Sequence, residues 1–266
     1  MRWSRMLAVV ERQLYLMRGS PARVVPLFGF VVIDIVLWGF ITRYLDMVSP
    51  GINFLTSLLG AVVLWDFCVR VLHGVTMTFF EDVWSRNFLN IFASPLSVGE
   101  YLGGQVVSSM LTSAVGLVAM VLLATLVFGV PFGAYGAMVI PFLLVLFLFG
   151  IAMGIIGAAC VLRWGPAAEW FVWPIPAVIA PFAGVFYPVA TLPAWMQPIA
   201  RAMPPAYVFE ALRAIVLGRP FRGTSLLIGT ALAVAYVAAA GWIFTRVHRH
   251  AVRTGLIARY SAETIT

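Results

Sequence analysis

Apolar residues along this chain gather into six long runs, near Val24 to Ile41, Phe54 to Met77, Leu102 to Phe128, Tyr135 to Leu162, Trp170 to Val189 and Ser225 to Thr245. A bilayer core about 30 Å thick takes roughly 20 helical residues to cross, whereas a barrel strand needs only about 9–11. Inside hydrocarbon every backbone group must be satisfied internally, and runs of this length do that as helices. The pattern therefore predicts an all-α integral membrane protein with six transmembrane helices. Before the first run, Trp3, Met6, Leu7, Val10, Leu14 and Met17 recur at helical spacing, while Arg2, Arg5, Glu11, Arg12 and Arg18 lie outside that arc. This predicts an interfacial amphipathic helix over residues 1–20, its basic face either docking a partner or resting on anionic headgroups.

The one sizeable polar segment between runs is Glu81 to Tyr101, EDVWSRNFLNIFASPLSVGEY. Val83 to Phe92 can form a short amphipathic helix that Ser94-Pro95 ends, presenting Glu81, Asp82, Arg86, Asn87 and Asn90 to the cytoplasm. Such a helix can push on the spans at both its ends, or be an ordinary solvated loop. The turn Gly129 to Ala134 is short and uncharged, as in a tight outer hairpin. Pro174, Pro176 and Pro181 make the fifth run irregular.

Composition agrees with the pattern: 62% of the 266 residues are hydrophobic and 10% charged, a balance unlike that of a soluble domain. The formal charge of +7 comes from 17 arginines and no lysine. A phosphate-cradling GxxxxGK[ST] loop lacks its lysine here, so the chain is not expected to hydrolyse ATP itself. With the N-terminus inside, eleven arginines fall on inner segments and five on outer ones, which predicts both termini in the cytoplasm of a multi-pass inner-membrane protein. Cys68 and Cys160 lie within runs and read as small apolar residues. There is no HExxH, no zinc-type Cys/His cluster and no GxSxG, so no catalytic or metal site is expected, and no nucleic-acid partner.

Ionisable residues inside the runs need an account, because a charge at the bilayer centre costs at least about 2.5–3.5 kcal/mol on insertion scales. Asp34 sits midway along the first run. Asp66, Arg70 and His73 in the second are four and three residues apart, on one helix face. If the two spans are antiparallel, Asp34 and Asp66 lie at similar depth with Arg70 as a bridge between them. Either this network fixes the two spans, or its members meet a polar part of a cargo during transport.

Two segments resemble the permease subunit of ABC type 2 exporters. One is Glu81 and Asp82 followed by SPLSVGEY at 94–101; the other is GVFYPVATLPAWMQPIARAMPPAYVFEALR at 184–213. The resemblance implies a dimer, expected to be a homodimer, that forms the substrate path. It also implies a separate ATPase subunit that binds ATP and Mg, no cofactor being expected in this chain. A coupling helix at about 81–97 would rest on that ATPase, with Glu81, Asp82, Arg86, Asn87, Asn90, Pro95 and Glu100 as coupling residues. Short re-entrant helices would form an outer cap at about 191–222, with Phe186, Tyr187, Pro188, Glu210 and Arg213 as a gate or cap. The transmembrane domain then covers 21–248, and 249–266 is a cytoplasmic tail. The aromatics of the fifth run suit an amphipathic cargo, a lipid, a lipid-linked glycan or a drug. The alternative is a proton-coupled carrier that uses Asp34, Asp66, Arg70 and His73 as a relay.

Overall fold

The computed structural model describes residues 3–48, 55–85, 88–220 and 223–256. Its helices are α1 (Trp3–Arg18), α2 (Pro21–Val48), α3 (Gly60–Trp84), α4 (Phe88–Ala93), α5 (Val98–Phe128), α6 (Val139–Trp164), α7 (Glu169–Val172), α8 (Ile175–Ala183), α9 (Gln197–Arg201), α10 (Pro204–Val216) and α11 (Gly223–Arg253). No strand occurs among the described residues. Four helical segments are long and apolar enough to cross a membrane: Thr56–Trp84, Val98–Phe128, Phe132–Trp164 and Gly223–Arg253. These correspond to the second, third, fourth and sixth apolar runs. The first run lies in α2, where several side chains, among them 24 and 26–28, fall outside the described residues.

The centre of the bundle is the pair α3 and α6, which approach closely because α6 carries glycine where they cross. A Cβ at Gly150, Gly154 or Gly157 would come within 2.9 Å of Cys68 O, Leu72 O or Thr76 Oγ1 on α3. Small residues one turn apart let backbones meet in lipid, where dispersion contacts rather than water exclusion hold helices together. On its other side α6 packs along α11, Phe149 meeting Tyr236 at 5.5 Å between ring centroids. Helix α5 flanks α3, and Ser109 Oγ donates to the Val71 carbonyl at 3.0 Å. Helix α2 packs on α5, where Gly39 leaves room for the Phe128 ring.

Two departures from the sequence reading matter for function. The second span continues past Met77 to Trp84, because Phe79, Phe80 and Val83 keep burying on the core. The short helix expected over Val83 to Phe92 is accordingly only Phe88–Ala93. The fifth run, expected as one span from Trp170 to Val189, is instead a 15-residue apolar stretch, Glu169–Ala183, divided into α7 and α8. Prolines at 174, 176 and 181 withdraw backbone donors, and Gly184, at φ +62°, turns the chain out of the helix.

Candidate functional site

Three arrangements of polar side chains stand out, at the two ends of the bundle and between them. At the end that carries α1, helix α5 starts with a reciprocal cap: Ser97 Oγ accepts from the Glu100 N–H at 3.2 Å, and Glu100 Oε2 accepts from the Ser97 N–H at 3.0 Å. Arg5 Nη1 donates to the same Oε2 at 3.4 Å. Beside it Asp82, 0% exposed, accepts from Arg12 Nη2 and, at 2.6 Å, from the Tyr101 hydroxyl. Partial burial works against the Arg12 charge, yet the hydrogen bond and charge of Asp82 outweigh it and raise the Arg12 pKa. Charge-assisted bonds of this kind are what permit a carboxylate to be buried.

This corrects the sequence reading of the segment. Asp82 was expected at the surface with Glu81, and Arg5 and Arg12 on an outward basic face; the carboxylates of Asp82 and Glu100 are buried, and they hold α1. The apolar arc of α1 divides in consequence: Val10 packs inward together with Val9, which lies outside the arc and meets Gly104, while Trp3, at 73% exposure, and Leu7 and Leu14 point away from the bundle. Glu81 is half-buried, whereas Asn90 and Pro95 are exposed. Arg86 and Asn87 lie outside the described residues. Between α1 and the segment 90–96 runs a groove of about 410 Å³, lined by Arg5, Ala8, Arg12, Asn90, Ile91 and Pro95 among others.

Midway along the bundle, Arg70 Nε donates to Asp66 Oδ2 one turn back on α3. Gly116 of α5 makes space for the arginine stem, at 3.1 Å from a notional Cβ to Arg70 Cδ. Asp34 forms no hydrogen bond or ion pair among the described residues, so the expected bridge from Arg70 reaches Asp66 but not Asp34. His73 does not join the acids; its ring lies 4.7 Å from that of Trp173, at the break between α7 and α8, and its Nε2 is buried without a hydrogen-bond partner.

At the opposite end Glu210 and Arg213, one helical turn apart, form an ion pair, Nη2 donating to Oε1 at 3.1 Å. Its larger role is toward the backbone. Arg213 Nη1 donates to the Gly184 and Val185 carbonyls at 2.8 and 3.3 Å, and Glu210 Oε1 accepts the Val189 N–H at 2.7 Å. The two side chains thus satisfy peptide groups that the fifth run leaves unpaired when its helix stops. Phe186 stacks on Trp38 of α2 at 4.9 Å with the planes 10° apart, and the Tyr187 hydroxyl donates to the Pro181 carbonyl. Pro188 is extended and leads into a single turn, Val189–Thr191.

The family model of the ABC-2 type transporter matches residues 5–217, from within α1 to the end of α10. The chain belongs to the ABC-2 type transporter family. It is the membrane component of such a transporter, a permease subunit rather than a P-loop ATPase, and permeases of the family work with an ABC ATPase partner. Comparison with curated proteins returns no match. In this ABC-2 permease the members of the buried polar cluster that sequence reasoning missed are Arg5, Arg12 and Tyr101. Arg12 and Asp82 are 70 residues apart, Arg5 and Glu100 are 95 apart, and no local pattern links them. The glycines of α6 were legible in principle, as a spacing of four and then three within an apolar run.

Proposed function

We propose that the chain is the permease subunit of an ATP-driven exporter, forming the substrate path as a homodimer and driven by a separate ATPase that binds ATP and Mg. In this reading six segments cross the inner membrane, both termini are cytoplasmic, α1 lies in the inner interface, and α9 and α10 dip into the outer leaflet. The observation that carries the mechanism is the α1-end cluster. Arg12, Asp82 and Tyr101 tie α1 to the ends of α3 and α5, with exposed Asn90 and Pro95 of the intervening segment beside them. A force applied to the segment 90–96 from the cytoplasm would reach α5 through its N-terminal cap and, through the Arg12, Asp82 and Tyr101 bonds, α1 and α3. The cargo is an amphipathic molecule, and the proton-coupled alternative is not favoured by the family.

The deciding experiment is affinity purification of the tagged chain from its own cells, followed by reconstitution. A P-loop ATPase should co-purify, and export should stop when its hydrolysis is blocked. Asn90→Trp should lower transport several-fold relative to ATP hydrolysis. Transport by the chain alone, driven by a proton gradient, would overturn the reading.

A further inference from the structure

Helix α2 packs against α5 and comes close to the α3 arm chiefly at the turn 55–59, while α8 packs against α10. The mid-depth ionisable groups are Asp34 on α2 and Asp66 and Arg70 on α3. Two carboxylates, Asp34 and Asp66, accompany one guanidinium there, and Arg70 bonds Asp66 rather than Asp34. Asp34 is partly exposed and has neither a hydrogen bond nor an ion pair among the described residues. Among the described residues α5 and α8 carry no cation, and Arg213 of α10, which reaches the Gly184 and Val185 carbonyls next to Phe186, is paired with Glu210. The nearest arginine on α2, Arg43, is nine residues away, about 13 Å along the axis. Trp38, one turn beyond Asp34, stacks on Phe186, so a large aromatic surface adjoins the carboxylate.

We infer that Asp34 recognises a positively charged group on an amphipathic cargo, with the Trp38 and Phe186 rings receiving its apolar part; the inference rests on the permease reading above. A lone carboxylate at this depth is stabilised by a cation far more than by water-exposed alternatives, and aromatic faces add attraction for the same charge. The surplus negative charge disfavours a cargo whose polar end is a phosphate.

Tetraphenylphosphonium and tetraphenylborate, nearly equal in shape and opposite in charge, test this on the complex with its ATPase in lipid nanodiscs. The phosphonium should bind saturably and the borate should not. Asp34→Asn should weaken phosphonium binding about tenfold or more, equivalent to about 1.4 kcal/mol, and Asp34→Glu should restore most of it. If Asp34→Asn does not assemble, Trp38→Ala decides the matter, with a comparable loss expected and Trp38→Phe retaining affinity. Equal binding of the two ions, or phosphonium affinity indifferent to both Asp34→Asn and Trp38→Ala, overturns the proposal. Failure of the permease reading would show separately, as a wild-type chain that brings down no ATPase.

Discussion

A carboxylate with no exposed surface, in a chain this apolar, persists only because its neighbours are arranged to charge it. Asp82 takes one bond from a guanidinium and one from a phenol, and each donor comes from a different helix. Removing Arg12 therefore does more than delete a surface ion pair, since it leaves a buried charge with Tyr101 alone. Arg12→Ala should destabilise the protein by about 3 kcal/mol, the lower end for breaking a buried pair because Arg12 is itself partly exposed. Tyr101→Phe should cost about 1.5–3 kcal/mol, as for a hydrogen bond to a charged group. Thermal unfolding in detergent measures both, and a double substitution Arg12→Ala with Asp82→Ala should recover part of the loss. A simple sum of the single effects would mean the two do not interact. Glycines on α6 offer a contrast at the same scale. Gly154→Ala places a methyl 2.7 Å from Val75 Cβ and 2.9 Å from the Leu72 carbonyl, an overpacking worth about 1–3 kcal/mol. Gly241→Ala on α11 meets nothing within 4 Å and should stabilise by about 0.5–1 kcal/mol through helix propensity. Paired unfolding temperatures moving in opposite directions are the expected result.

Among the elements, α1 is the one whose meaning changes most between sequence and structure. Its periodicity announces a helix, and a helix forms from Trp3 to Arg18. What periodicity could not supply is which arginines have partners, because those partners are acids on α3 and α5, far along the chain. If α1 is a strut in the coupling cluster, breaking it should separate ATP hydrolysis from transport. Val10→Pro, in the helix interior at a buried position, costs about 3 kcal/mol locally. Hydrogen exchange should then quicken across α1 and the first turn of α5, with transport falling more than hydrolysis; equal loss of both would mean that α1 serves assembly alone. The apolar runs marked the helices of the bundle well, since a 20-residue apolar stretch has few other uses. Their ends were less legible. Phe79, Phe80 and Val83 extend the pattern of the second run beyond Met77, yet Glu81 and Asp82 among them read as solvent. The prolines of the fifth run forecast an irregular helix, but its stop at Gly184 depends on Arg213 and Glu210 from a later helix to satisfy the peptide groups beyond it.

For the whole molecule, the short fifth run poses the decisive question of how many times the chain crosses. Fifteen residues reach about 22 Å as a helix, against a hydrocarbon core of about 30 Å. The missing depth is covered if 184–189 stays within the outer part of the membrane, which irregular backbone can do only when its peptide groups are paired inside the protein. Arg213 and Glu210 pair three of those groups, the Gly184 and Val185 carbonyls and the Val189 N–H, which supports the proposed reading in which the fifth run crosses and the number of spans is even. The contacts fix which parts share an end: Phe79 meets both Tyr101 and Phe244, placing the last turns of α11 beside α1 and α4, while Gly229 near its start lies against Tyr207 of α10. With the arginine bias setting that first end inside, Ser94 should face the cytoplasm and Thr191 the exterior. Single cysteines at these exposed positions, with Cys68 and Cys160 replaced by alanine, give the measurement. An impermeant maleimide added to intact cells, with the outer membrane opened where there is one, should label Thr191→Cys and leave Ser94→Cys unlabelled until the inner membrane is opened. Labelling of both from one side would mean that α7 and α8 turn back without crossing. Arg213→Leu, which strips the Gly184 and Val185 carbonyls of their donor, should lower the unfolding temperature and broaden labelling around 185–191 if those bonds hold the shortened span in place.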